Sequence, residues 1–430
     1  MWKFSRSKTG LTDWRGYPWL LVGLLWGVAL LNYMDRQMLS TMKTAMQIDI
    51  HELQSATNFG YLMAIFLWVY GFINPFSGFV ADRLNRKWLI TGSLFVWSAV
   101  TFAMGYATTF NELYVLRGVM GVSEGLYMPA ALSLIADFHS DKSRSLAIGI
   151  HMTGLYTGQA LGGFGASVAA THTWHIAFHL FGFVGLGYSL ILLLFLRDKR
   201  HVDLRRGRKL PIPSGISPPF LTPLRTILKN RHFWIILLSF IVFSLPGWAT
   251  KNWLPTLFAE KLSVDLAVAA PIATITIAAS SFVGVLVGGI VSDRWVQRNL
   301  RARVYCASIG FGLMAPALLL LGFGQSLFHI ILAGCFFGVG FGIFDSNNIP
   351  ILYQFISDRS RATAYGIMNM AGIFGGAMIT DRLGRSMDAG NLGRDFSMLA
   401  IIVFAAMLLQ LGFLHPKKNE TKNEGRSYEK

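Results

Sequence analysis

The chain has 430 residues, of which 53% are hydrophobic and only 14% charged, with a formal net charge of +16. Soluble domains carry roughly 25% charged residues, so this composition excludes an ordinary soluble protein. The basic excess is not gathered with stacking aromatics on an independent domain, which argues against nucleic acid as a partner.

Apolar runs close to the roughly 20 residues that span a bilayer recur along the whole chain. In order they cover 17–41, 57–81, 88–107, 111–136, 145–170, 175–196, 233–258, 267–291, 303–323, 327–354, 361–380 and 396–414. A transmembrane β-barrel would show shorter, alternating segments. The expected fold class is therefore an all-α membrane protein with twelve transmembrane helices. The first run follows a basic lead-in, "MWKFSRSKTGLTDWRGYPW", that lacks the apolar core and small-residue cleavage site of a secretory signal. Most Lys and Arg fall in loops that share one face of the membrane when the N-terminus is cytoplasmic. This bias places both termini in the cytoplasm of a multi-pass protein of a cell membrane, expected to be a bacterial inner membrane.

The longest polar stretch between spans contains "RDKRHVDLRRGRKLPIPSGISPP", followed by a candidate surface helix near "LTPLRTILKN". It divides the chain into a first six-helix bundle (1–196), a cytoplasmic linker (197–231), a second bundle (232–415) and a tail (416–430). The halves echo each other. "GFVADRLNRK" (Gly78–Lys87) after span two returns as "GIVSDRWVQR" (Gly289–Arg298) after span eight, and "SDKSRSLAIGI" (Ser140–Ile150) returns as "SDRSRATAYGI" (Ser357–Ile367). Repeated polar signatures at matching places imply duplication, and paired repeats with a site between them are the plan of many secondary transporters.

The Gly-x-x-x-Asp-Arg-x-x-Arg-Lys segment resembles the hallmark of the major facilitator superfamily, with Asn85 where the usual motif has Gly. The resemblance runs over nearly the whole chain, residues 17 to 414. It implies two pseudo-symmetric six-helix bundles, and it implies that Asp82, Arg83, Arg86, Asp293 and Arg294 gate the cytoplasmic side by latching the halves together in the outward-facing state.

Span one carries adjacent charges in "LLNYMDRQML", Asp35 and Arg36, and span four carries Arg117 and Glu124. A charge at mid-bilayer costs about 2.5–3.5 kcal/mol even on the lenient insertion scale, so such groups pair or line a wet cavity. At 1.5 Å per residue, Asp35 and Arg117 fall at similar heights and Glu124 nearer the middle. An Asp35–Arg117 contact is geometrically reasonable and a contact with Arg36 remains open. Asp35 and Glu124 are the candidate proton-coupling residues. "NYMDR" together with Arg-x₆-Glu, and "NWLPTLF" in span seven, is similar to the anion:cation symporter branch, which includes hexuronate, galactonate and sialic acid carriers. That resemblance implies that Asp35 and Glu124 carry protons, that Arg36 holds the substrate anion and that Tyr33 lies beside it. The Spinster-like lipid carriers share "NYMDR", Arg-x₆-Glu and much of "LIADFHSDKSRSLAIG".

The spans also hold Tyr70, His151, Tyr156 and Gln159 in the first half, and Lys251, Asn252, Asp345, Asn347, Asn348 and Asn369 in the second. Lipid-facing positions do not tolerate such polarity. With Arg36 and Arg117 they make the candidate substrate-binding set, suited to a hydroxylated anion such as a sugar acid. Protonating Asp35 and Glu124 leaves the embedded charges with a net value of about +2, so proton loading and anion binding would favour each other. The histidines of "THTWHIAFH" lack an acidic or Cys ligand beside them and read as interfacial. No P-loop, nucleophile elbow or zincin helix is present, so neither an enzyme nor an ATP-driven pump is expected. The expectation is a monomeric secondary transporter that couples protons to a small anionic substrate by alternating access, without cofactor or metal. The alternatives are a Spinster-like carrier of lysolipids or sphingoid amphiphiles, or a membrane receptor that binds without transport.

Overall fold

The computed structural model describes residues 14–198, 221–357 and 360–416. Among these residues there are helices and no strands. In the first half they are α1 (Tyr17–Thr41), α2 (Lys43–Asp49), α3 (Ala56–Arg83), α4 (Arg86–Met104), α5 (Phe110–Gly125), α6 (Tyr127–Phe138), α7 (Asp141–Gly162), α8 (Gly165–Thr171) and α9 (Trp174–Phe195). The second half has α10 (Leu221–Lys229), α11 (Arg231–Leu262), α12 (Leu266–Trp295), α13 (Ala302–Phe323), α14 (Leu327–Phe355), α15 (Arg361–Asp388) and α16 (Leu392–Phe413). The surface helix expected in the linker is α10.

Local chemistry sets the helix starts. Ser55, Asn85, Thr109, Thr173, Asn230 and Ser326 each accept a hydrogen bond from a backbone amide of the helix they precede, and Thr109 with Glu112 forms a reciprocal capping box. Two expected spans are interrupted. The run 111–136 breaks at Leu126 into α5 and α6, because Pro129 has no N–H for the carbonyl of Gly125 and its ring would collide with it. The run 145–170 breaks at Gly163–Phe164 into α7 and α8.

Among the described residues ten segments are long and apolar enough to cross a membrane, α5 and α6 counting together as Phe110–Phe138. The expected spans five and eleven coincide with α7 and α15, which are 22 and 28 residues long but more polar. They are the two helices that follow the duplicated Ser-Asp-x-Ser-Arg segments.

Small residues let the helices close up. Gly154, Gly158 and Gly162 recur every four residues on α7, and a Cβ added at each would meet Trp26, Leu30 or Met34 backbone oxygens of α1 at 2.7, 2.1 and 2.8 Å. In the second half, Gly338 and Gly342 of α14 face Ser280 and Ser281 of α12, where an added Cβ would come within 1.9 and 2.2 Å of their oxygens. Without a hydrophobic driving force between helices in lipid, such backbone approach is a main source of association.

The two halves touch at one end and in the middle of the long helices. At the end, Asp388 of α15 accepts hydrogen bonds from the start of α3: Ala56 N at 2.7 Å, Thr57 N at 2.9 Å, Thr57 Oγ1 at 2.7 Å and Ser55 Oγ at 2.9 Å. Nearby, Arg385 donates to Tyr61 Oη at 3.1 Å, and Ser167 Oγ donates to the carbonyl of Ala267 at 2.9 Å. Further in, Thr274 Oγ1 reaches the carbonyl of Ala160 at 3.2 Å. At the level of the embedded charges, Gln37 Nε2 and Ser40 Oγ both donate to the carbonyl of Lys251, and Asn369 Nδ2 donates to Asn74 Oδ1 at 3.1 Å.

Candidate functional site

The adjacent charges of α1 are separated by the helix itself. Consecutive residues point about 100° apart, so Asp35 and Arg36 face different neighbours. Asp35 turns into the first half, where Thr101 Oγ1 of α4 donates to its Oδ2 at 3.4 Å. Tyr33, Gln37 and Ser40 share the opposite face, at spacings of four and three, and look toward the second half, while Arg36 beside them turns to α3 and α5. Tyr33 lies against the Lys251 ammonium (5.5 Å to the ring centroid) while Gln37 and Ser40 bond to the Lys251 carbonyl.

The ion pair that forms joins Arg36 to Glu124: Arg36 Nε donates to Glu124 Oε2 at 2.6 Å. The guanidinium is cradled by three rings, with its central carbon 5.1 Å from Tyr33, 4.8 Å from Phe66 and 4.6 Å from Tyr70. Aromatic faces carry negative electrostatic potential and stabilise a cation that has lost much of its water. Arg36 keeps 11% of its side-chain surface exposed while Glu124 is fully covered, so the cation fronts the cavity and the carboxylate backs it. The suggested Asp35–Arg117 pair is not formed. Arg117 lies over Phe66 at 4.6 Å and its Nη1 points at the Met120 sulfur at 3.1 Å. Among the described residues Asp35 Oδ1, Glu124 Oε1 and Arg117 Nε are buried without a hydrogen-bond partner.

The second half supplies the facing wall. The Lys251 ammonium lies 4.8 Å from the Trp248 ring and 5.8 Å from Phe341. Asp345 is held from its own helix by Asn348 Nδ2, which donates to its Oδ1 at 3.2 Å and to its carbonyl at 3.0 Å. Lys251, Asp345, Tyr33, Tyr156 and Asn369 are all partly exposed, so a polar, solvent-reached space lies between the halves at this level. Tyr156 faces Phe282 across it, with ring centroids 6.3 Å apart. Asn252 donates to Thr380 Oγ1 at 2.8 Å and ties α11 to α15. Gln159 and Tyr70 are nearly covered. Asn347 is fully buried, and its amide bonds to the Ile343 carbonyl, to Ser346 and weakly to the Gly288 carbonyl, a contact that joins α14 to α12.

Gln37, Ser40, Asn74, Thr101 and Thr380 complete this polar layer and were not among the candidates from sequence. Gln37 and Ser40 lie four and seven residues beyond Tyr33, so the helical repeat would have found them. The others are single hydroxyls and amides without a distinguishing pattern.

The residues expected to gate lie at the opposite end from Asp388. Arg86 is buried and bonds within its own half to the Asp137 carboxylate, to the Ser133 carbonyl at 3.4 Å and, through its backbone amide, to Asp198 at 2.8 Å. Asp293 pairs with Arg303 at 2.9 Å, also within one half. Arg83 and Arg294 are exposed, and the side chain of Asp82 lies outside the described part.

The sequence profile of the Major Facilitator Superfamily matches residues 25–380. A hexuronate transporter of Bacillus subtilis is 25% identical over 420 residues, 91% of this chain and 95% of that one. A chloroplastic ascorbate transporter of Arabidopsis thaliana is 24% identical over 92% of this chain and 75% of its own. Protein spinster homolog 1 of Xenopus tropicalis is 27% identical over 70% of this chain and 59% of its own length. Among solved structures, a bacterial homolog of the human lysosomal transporter Spinster, crystallised in an inward-facing and unoccupied conformation, superposes with a TM-score of 0.78 over 95% of this chain and 100% of that one. At 19% identity that likeness speaks to the fold alone. With a helical membrane fold, a polar cavity between its halves and a profile match over most of its length, this chain belongs to the Major Facilitator Superfamily of membrane transporters.

Proposed function

We propose that the protein is a proton-coupled symporter of a small organic anion of the sugar-acid class. One observation carries the reading: the Arg36–Glu124 pair, with Arg36 fronting a cavity lined by tyrosines and amides and Glu124 sealed behind it. While Glu124 is ionised it neutralises Arg36. A proton on Glu124 removes that charge and leaves a buried guanidinium in need of an anion. A carboxylate offered from the cavity meets that need through the planar fork that Arg presents. Proton binding and anion binding then strengthen each other by the same factor. Asp35, with one oxygen unpartnered, is a second place for a proton, and Lys251 offers a second cation on the far wall. Tyr33, Tyr156, Asn252 and Asn369 supply hydroxyls and amides for a polyol chain, and Asn348 holds Asp345 from behind. Relatives named for hexuronate, L-galactonate and galactarate/D-glucarate support the substrate class.

In this reading residues 1–196 and 232–415 are two six-helix bundles that rock about the site, with both termini in the cytoplasm. The Asp388 contacts then close the outer side, and the cavity opens inward. Asp82, Arg83, Arg86, Asp293 and Arg294 then lie at the cytoplasmic end, where Arg86 and Asp293 bond within their own halves and would change partners in the outward-open state. A second reading, a carrier of lysolipids, draws on the 27% identity to the Xenopus spinster homolog. The test is uptake by purified protein in liposomes under an inward proton gradient. Accumulation of a hexuronate or aldonate that collapses with a protonophore supports the proposal. Uptake of lysolipid, with no response to any sugar acid, refutes it in favour of the second reading.

A further inference from the structure

A small pocket inside the second half touches the site above only through Asn348. It lies where α11, α14, α15 and α16 meet, and its volume of about 10 Å³, measured to a water's centre, is that of one water molecule. Three polar side chains line it, one each from α11, α14 and α16: Ser239, Asn348 and Gln410. They are 3%, 5% and 1% exposed. Ser239 Oγ, Asn348 Oδ1 and Gln410 Oε1 have no hydrogen-bond partner among the described residues. The two amide orientations are fixed by what their other ends touch. Asn348 Nδ2 faces the Asp345 carbonyl and carboxylate, and Gln410 Nε2 faces the Val304 carbonyl at 3.4 Å. All of these are acceptors, so the NH₂ groups belong there and the amide oxygens are the free ends.

A buried polar atom left unpaired costs about 1–3 kcal/mol, and three around one small cavity call for a shared partner. We propose that this pocket holds one structural water, which donates to Asn348 Oδ1 and Gln410 Oε1 and accepts from the Ser239 hydroxyl. Two donors and one acceptor match the three free groups. A metal cation fits poorly: Na⁺ or K⁺ needs more oxygens than three, and the remaining wall is apolar, with Phe344, Ile351 and Met368. The water ties α11 and α16 to α14 and pins the Asn348 amide with its NH₂ toward Asp345. It is thus a positioning element for a carboxylate of the central cavity, whatever substrate that cavity carries.

The experiment is structure determination of the full chain at about 2 Å, with Ser239→Ala and Gln410→Met alongside. The expected result is a density peak about 2.7–3.2 Å from all three oxygens, weakened in Ser239→Ala and lost in Gln410→Met. A dry pocket overturns the proposal, as does a peak with five or more oxygens at about 2.4 Å that follows the salt cation. Thermal unfolding in detergent supplies the second measure. Each single change should lower the apparent Tm by about 1–3 °C, and the double variant should lose no more than the worse single, because both act on one water. Additive losses refute the shared partner, and if Gln410→Met does not fold, the Ser239→Ala density decides.

Discussion

Replacing Asp388 by Ala removes an acceptor of four hydrogen bonds that joins the two halves at one end. Ala56 and Thr57 are the first residues of α3, and their amides have no partner within the helix. A carboxylate there satisfies both and complements the positive end of the helix dipole. Loss of such a cap costs about 1 kcal/mol, and up to about 2. The site is exposed, and water re-forms part of what is lost, so about 1–2 kcal/mol is the expected shift in the balance between closed and separated ends, or roughly 5–30-fold. The pH dependence has a definite sign. Burial pushes the Asp388 carboxyl up, but the hydrogen bonds from Thr57, Ala56 and Ser55 outweigh it and bring it from 3.8 down to about 2. A carboxyl depressed in the closed form stabilises that form above about pH 4, and the contribution is lost as pH falls through about 2. The full shift would be worth about 2.4 kcal/mol at 1.36 per unit; solvent screening of this exposed group reduces that to about 1 kcal/mol. Lys43, buried beside Met387, adds a positive charge nearby. The assay is a spin-label distance measurement between His51→Cys and Ala389→Cys, with the native cysteines replaced. The variant should populate longer distances at neutral pH, and the parent should do so only below about pH 4. An unchanged distance distribution in Asp388→Ala, or a parental transition near pH 6, would refute the latch.

The central site gives two further expectations, and the packing of α7 on α1 gives a third. Arg36→Ala should abolish binding and uptake of the anion, read by thermal shift and liposome uptake, and Arg36→Lys should rescue poorly because an ammonium lacks the bidentate fork; full binding by Arg36→Ala would remove Arg36 from the site. Glu124→Gln mimics the protonated carboxyl, so it should still bind and exchange substrate while failing at accumulation driven by a pH gradient; equal performance in both assays would make Glu124 a packing residue. Gly158→Ala places a Cβ 2.1 Å from the Leu30 carbonyl oxygen and should cost about 1–3 kcal/mol of stability by overpacking, seen as a lower apparent Tm; an unchanged Tm would mean that α1 and α7 are not in close contact.

Much of the architecture was legible because the bilayer leaves few options. Length and hydropathy give the spans, and the two Ser-Asp-x-Ser-Arg segments mark α7 and α15, the helices whose polarity keeps them out of a simple hydropathy count. The charges were legible as a set, but their pairing was not. Height along a straight helix favoured Asp35 with Arg117, whereas the bonded pair is Arg36 with Glu124. The missing terms are azimuth and side-chain lean. Arg36 stands one residue, about 100°, around from Asp35, which turns it away from Thr101 of α4 and toward α3 and α5. Side chains lean toward the N-terminus of their own helix. Spans one and four run in opposite directions, so Arg36 leans back toward the start of α1 and Glu124 leans the other way, toward the start of α5. The two converge although their backbones differ in height, and the same leans carry Asp35 and Arg117 past each other. Glu124 also lies two residues before the break at Leu126 that Pro129 imposes, which straight-helix arithmetic ignores. The Gly-x-x-x-Gly-x-x-x-Gly runs at 154–162 and 334–342 were readable too. They specify that two backbones meet, but not which, since α1 and α12 carry nothing complementary except a carbonyl or a small side chain at the right height. The polar layer shows the same asymmetry. Asn347 and Asn348 are adjacent and identical, yet one reaches the Gly288 carbonyl of α12 and the other holds Asp345. Composition cannot separate them, because the difference is again one step of 100° around the helix.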